Sequence, residues 1–123
     1  MAKKCILIVE DEKDILNLYK EFLENAGFDV DTASNGEEGL NKIKDGNADV
    51  VLLDIMMPKL DGVGLLQTLK DQKRKMPKVI MMTNLSHDET LKEAEALGAR
   101  ESIIKSEITP DKVLEKINHL LET

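Results

Sequence analysis

Five polar residues stand where apolar runs stop. Val50-Val51-Leu52-Leu53 ends in Asp54, and Cys5-Ile6-Leu7-Ile8-Val9 ends in Glu10 and Asp11. Val79-Ile80-Met81-Met82 ends in Thr83, and Ser102-Ile103-Ile104 ends in Lys105. A continuous apolar run of this length reads as a strand buried on both faces. In open α/β sheets, ligands bind beyond the carboxyl ends of such strands. The set therefore offers one nucleophilic carboxylate, two further carboxylates, a hydroxyl and a cation at one end of a sheet. That chemistry is phosphoryl transfer to Asp54. Crowded carboxylates repel one another, and their burial is costly without a counter-ion. A hard divalent cation resolves this, and Mg²⁺ suits one or two carboxylates plus a phosphate. Thr83 and Lys105 are placed to stabilise the oxygen charge that develops during transfer.

The elements that must position these groups alternate strand and helix. The first strand spans residues 4–9. A helix follows to about Ala26, with Ile15, Tyr19, Phe22, Leu23 and Ala26 on one face and Gly27 as its stop. Residues 28–33 alternate apolar and polar, which predicts a half-exposed edge strand. Ser34 and Asn35 can each cap a second helix that runs to about Asp45, buries Leu40 and Ile43, and ends at Gly46. The strand over 49–53 delivers Asp54, and residues 55–61 form a loop. Gly62 opens a helix to about Lys73 with Val63, Leu66 and Leu69 inward, and Lys73-Arg74-Lys75 is read as its solvated basic end. Pro77 breaks it before the fourth strand, 79–82. Ser86-His87-Asp88-Glu89 is a capping box for a helix with Leu91, Ala94 and Leu97 inward, closed by Gly98. After a short fifth strand, 102–104, Thr109-Pro110 starts the last helix, with Val113, Ile117, Leu120 and Leu121 inward.

Alternating βα units imply a five-stranded parallel sheet with helices on both faces. The half-exposed second strand and the short fifth suit its edges. The expected class is α/β, flavodoxin-like and doubly wound (βα)₅, with strand order 2-1-3-4-5. The first and third strands are then neighbours, so Glu10, Asp11 and Asp54 converge.

Composition narrows the function classes. A chain of 123 residues, 41% hydrophobic and 33% charged, is expected to be one globular domain over 1–123. Tyr19, Phe22 and Phe28 are the only aromatics, so the core must be aliphatic. A net charge of −7 argues against sequence-independent nucleic-acid binding. Cys5 is the single cysteine, which rules out a disulfide within the chain and points to a reducing cytoplasm. It is read as a core residue. No run is long enough for a membrane span or a signal peptide. His87 and His119 are read as solvated helix positions. Met56, Met57 and Met76 fit loop packing and partner contact equally.

The residues at the strand ends, taken together, resemble the receiver domain of bacterial two-component response regulators. The resemblance covers nearly the whole chain. It rests on Ile8-Val9-Glu10-Asp11-Glu12, Leu52-Leu53-Asp54-Ile55-Met56-Met57-Pro58, Asp61-Gly62, Met82-Thr83 and Ile103-Ile104-Lys105, in that order and spacing. It implies that Asp54 is phosphorylated by a histidine kinase, a phosphotransfer protein or a small phosphodonor. It implies that Glu10, Asp11 and Asp54 bind Mg²⁺ together with the backbone carbonyl of Met56, and that Thr83 and Lys105 contact the phosphoryl group. The phosphorylated form is expected to switch a surface on the fourth helix, fifth strand and fifth helix toward a downstream protein, as a monomer or a phosphorylation-dependent dimer. Such a domain assists its own phosphorylation and dephosphorylation without being an enzyme in the ordinary sense.

Three positions depart from the family pattern. Ser102 stands where receivers usually carry an aromatic residue, which bears on the coupling of that side chain to Thr83. Ser106 replaces a proline after Lys105, removing the expected cis X–Pro bond. Asn84 replaces a small residue after Thr83, beside the approach to Asp54. Rival readings are weaker. A phosphohydrolase with an aspartyl-phosphate intermediate wants an acid two residues after its nucleophile, where this chain has Met56. A flavodoxin-like carrier wants a hydroxyl- or glycine-rich loop where this chain has Glu10-Asp11-Glu12. A degenerate receiver that binds partners without phosphorylation is the remaining alternative.

Overall fold

The computed structural model describes residues 3–84 and 88–122. Five strands and five helices alternate: β1 (Cys5–Val9), α1 (Lys13–Asn25), β2 (Asp29–Ala33), α2 (Gly36–Lys44), β3 (Val50–Asp54), α3 (Gly62–Asp71), β4 (Lys78–Thr83), α4 (Asp88–Ala96), β5 (Glu101–Ile104) and α5 (Pro110–Leu121). The strands form one parallel sheet in the order β2-β1-β3-β4-β5. This is the expected flavodoxin-like arrangement, with β2 and β5 at the edges.

Side chains alternate across a strand, and that alternation explains the unbroken apolar runs. Leu7, Val9, Val51, Leu53, Val79 and Met81 pack on the face covered by α2, α3 and α4. Ile6, Ile8, Val50, Leu52, Ile80 and Met82 pack on the opposite face with Leu16, Tyr19 and Leu23 of α1 and Val113, Ile117 and Leu120 of α5. Both faces are covered, so every position must be apolar until the strand emerges. β2 is the exception: Asp29 and Asp31 point to solvent while Ala33 is buried.

Several sequence expectations shift in register. In α3 the buried side chains are Leu65, Leu66 and Leu69, and Val63 is only half-buried. The inward stripe follows the Leu65–Leu69 pair, one turn apart, and Val63 falls at its margin. That helix ends at Asp71, so Lys73-Arg74-Lys75 lies in the exposed connection beyond it. Ala26 is exposed as the C-cap of α1, and Leu16 takes the buried place on that face. Cys5 is half-buried at the rim of the sheet and is not in the core. Its N–H donates to Asp49 Oδ2 at 2.8 Å, and burial together with nearby Asp31, Asp49 and Asp29 pushes its thiol pKa up. Asn35 is the residue that caps α2, accepting from the Glu38 N–H at 2.9 Å. Met57 and Met76 pack against the core, whereas Met56 is 66% exposed. His119 lies exposed in the last turn of α5. Ser86 and His87 of the expected capping box lie outside the described residues. No helix among the described residues is long and apolar enough to cross a membrane.

Candidate phosphoryl-transfer site

The register of β1 on β3 builds the site. Ile6 lies opposite Val50 and Ile8 opposite Leu52, so the next position of the same parity brings Glu10 beside Asp54. Both carboxylates continue rows of apolar side chains and are buried, Glu10 at 0% exposure. β4 ends at the buried Thr83, whose carbonyl accepts the Lys105 N–H at 2.8 Å. That bond fixes the start of the β5–α5 connection, from which the Lys105 side chain returns over the sheet end with only 5% exposure.

Lys105 Nζ donates to Asp54 Oδ2 at 3.0 Å and also forms an ion pair with Glu10 Oε1. Burial alone would lower the lysine pKa, but the two carboxylates outweigh it and hold the ammonium above its ordinary range. Burial pushes Glu10 up to about 7, and the neighbouring Asp54 adds to this while Lys105 opposes it. The other oxygen of Glu10 accepts the Glu12 N–H at 3.1 Å, and Asp54 Oδ1 accepts the Met56 N–H at 3.4 Å. Tyr19 lies beneath this cluster, its hydroxyl pKa raised by burial.

Glu10, Asp11 and Asp54 each present an oxygen, and these atoms lie within 4.8 Å of one another. Glu10 Oε1 is buried, and beyond its ion pair with Lys105 it has no hydrogen-bond partner among the described residues. An all-oxygen donor set with an under-coordinated buried carboxylate suits a hard divalent cation such as Mg²⁺. Asp11, unlike its two partners, is exposed and reaches the cluster from the solvent side.

Gly62 supports the site from below. A Cβ there would lie 2.5 Å from the Asp54 carbonyl oxygen and 3.0 Å from Ile55 Cα, so the start of α3 can meet the end of β3 only with glycine. The Gly62 N–H closes the intervening loop on Ile55 O at 2.8 Å, and Asp61 caps α3 by accepting the Gly64 N–H at 2.7 Å.

A pocket of about 60 Å³ lies over Asp54, lined also by Glu12, Met56, Thr83, Asn84 and Lys105. All the sequence-nominated side chains except that of Asp11 either line it or, like Glu10, hold Lys105 in it. In the sequence Glu12 stood out only as part of the Glu10-Asp11-Glu12 run, yet its Oε1 lies 3.9 Å from Lys105 Nζ. A larger cavity, about 560 Å³, sits away from these carboxylates against β5 and α5.

Comparison with known proteins agrees with this geometry. The family model described as "Response regulator receiver domain" matches residues 6–118. Response regulator SaeR of Staphylococcus epidermidis is 33% identical over 116 residues, 94% of this chain and 49% of that protein. The alkaline phosphatase synthesis transcriptional regulatory protein PhoP of Bacillus subtilis is 45% identical over 80 residues, 65% of this chain and 33% of that protein. The chain thus spans a third to a half of the length of these curated relatives. A CheY-like response regulator receiver domain protein from Methanospirillum hungatei superposes with a TM-score of 0.90 at 35% identity, covering 98% of this chain and 95% of that one. CheY of Borrelia burgdorferi, solved in a CheX-CheY-BeF3-Mg complex, superposes with a TM-score of 0.85 at 32% identity, covering 96% of this chain and 89% of that one. Strand order, the convergence of Glu10, Asp11 and Asp54, and these matches agree: the chain belongs to the response regulator receiver domains, the phosphoacceptor modules of two-component systems.

Proposed function

We propose that Asp54 is the phosphoacceptor of this receiver and that residues 1–123 form one domain around it. The observation that carries the proposal is the setting of the Asp54 carboxylate. It is buried at the end of β3, 3.0 Å from Lys105 Nζ, in a pocket shared with Thr83. Glu10, Asp11 and Asp54, with the Met56 carbonyl, would hold Mg²⁺, which when bound supplies positive charge to the phosphoryl oxygens. An Asp54 oxygen attacks phosphorus in line, the bond from phosphorus to the donor's leaving atom breaks, and an acyl phosphate forms. Lys105 moves its donors from the carboxylates to the new phosphoryl oxygens, and the Thr83 hydroxyl adds a hydrogen bond. These residues belong to the chain itself, which is why it assists its own phosphorylation and dephosphorylation.

The donor is a histidine kinase, a phosphotransfer protein or a small phosphodonor, in the cytoplasm. The readout is a downstream protein bound to the face built by α4, β5 and α5, by a monomer or by a dimer that phosphorylation promotes. Lys105 and Thr83 link the site to that face through the backbone bond between them, and the 560 Å³ cavity lies there against Leu91, Ser102 and Ile108. A receiver working without phosphorylation is not favoured, because no group needed for the transfer is missing. Asp54→Asn removes the nucleophile and nearly preserves shape, so it should abolish labelling by acetyl phosphate; labelling that persists would sink the assignment.

A further inference from the structure

Glu12 precedes α1 as its N-cap residue, but its side chain makes no capping hydrogen bond. A carboxylate beside free N–H groups and the positive end of a helix dipole would ordinarily turn to them. Here it turns the other way. Its Oε1 lies 3.9 Å from Lys105 Nζ, the same ammonium that holds Asp54 at 3.0 Å, and it lines the pocket over Asp54 while 54% exposed. It therefore stands at the mouth, between solvent and the nucleophile.

We propose that Glu12 is a specificity-determining residue of the transfer pocket, selecting phosphodonors by net charge and favouring phosphoramidate-type N–P donors over acyl phosphates. This rests on Asp54 being the acceptor. Among the described residues, Lys105 is the only Lys or Arg side chain lining the pocket, and it is shared among Glu10, Glu12 and Asp54. An incoming phosphoryl group must draw Lys105 away from these carboxylates while passing the Glu12 charge. An acyl phosphate brings about two negative charges at pH 8. A phosphoramidate, like phosphohistidine in its protonated form, carries a proton on nitrogen that lowers its net charge, so the mouth repels it less. In either transfer one Asp54 O–P bond forms. Acetyl phosphate loses its P–O bond and acetate leaves, whereas phosphoramidate loses its P–N bond and ammonia leaves with the proton already on nitrogen.

The test is the rate of mass gain of the chain with acetyl phosphate and with phosphoramidate, at saturating Mg²⁺. It compares wild type, Glu12→Gln and Glu12→Asp, with circular dichroism confirming that each folds. Glu12→Gln should speed acetyl phosphate labelling by about fivefold and phosphoramidate labelling by only about twofold. The gap should narrow at about 1 M salt, where screening is short-ranged. Glu12→Asp, which keeps the charge, should retain the wild-type donor ratio. Equal changes with both donors, slower labelling with both, or no change would overturn the proposal while leaving the acceptor intact. Failure of wild type to label with either donor would instead remove the acceptor assignment on which it rests.

Discussion

Lys105 is the counter-ion that allows Glu10 and Asp54 to be buried side by side. Breaking a buried pair by removing one partner is costly because a charge is left behind. Lys105→Met should lower stability to urea by about 3 kcal/mol at pH 8 without Mg²⁺. Glu10 contributes a pH dependence of its own. Its folded pKa of about 7 lies above its ordinary value of 4.5, so folding takes up a proton between those values. Stability from this group is therefore greatest at low pH and falls as pH rises toward 7. Removing Lys105 removes the influence that lowers the Glu10 pKa, so the Lys105→Met deficit should shrink on acidification; a deficit that grows would contradict the ion-pair account. A bound cation must displace the Glu10 proton, so Mg²⁺ affinity, followed by titration calorimetry, should fall by about tenfold per pH unit below 7. At this scale the sequence was informative about residue type and position. An apolar run that stops at Asp54 or Glu10 says where the strand emerges. It does not say which way an exposed side chain turns, and so Glu12 could not be placed from sequence.

The elements hold these residues by close approach as much as by hydrogen bonding. α3 begins under the carbonyl of Asp54 because Gly62 has no Cβ, and α2 begins against Leu60 because a Cβ on Gly36 would overlap the Leu60 carbonyl. Gly62→Ala should cost about 2 kcal/mol through overpacking. It should also slow labelling of Asp54, because the end of β3 must move. Unchanged labelling kinetics with a lowered melting temperature would separate the two effects and deny Gly62 a part in positioning the nucleophile. Gly62 was legible as the residue that opens α3, but this contact is tertiary and leaves no local signal. The same holds for Leu65. Periodicity nominates an inward face for α3, yet which of Val63 and Leu65 is buried depends on how the helix rolls against Leu53, Val79 and Met81. The strands were legible nearly to the residue, because burial on both faces permits no polar interruption.

For the whole molecule, the order β2-β1-β3-β4-β5 turns the ends of four strands, β1, β3, β4 and β5, into one site. The polar alternation of β2 and the shortness of β5 assign them to the edges, and the adjacency of the acid-bearing β1 and β3 follows only once the flavodoxin-like order is adopted. The fold also explains why an acidic chain concentrates its buried charge at one end: Glu10 and Asp54 are buried there with Lys105. A cation that binds this end of the folded state stabilises the whole domain, so Mg²⁺ at about 100 times its dissociation constant should add about 2.7 kcal/mol to unfolding. Differential scanning calorimetry with and without EDTA should show it, and Asp54→Asn should diminish it. The central claim is phosphorylation of Asp54, and its most direct measurement is intact mass after incubation with acetyl phosphate and Mg²⁺, beside an EDTA control. The account predicts a gain of one phosphoryl group that EDTA prevents and that peptide mapping places at Asp54. No gain, a gain indifferent to EDTA, or a gain at another residue would contradict it.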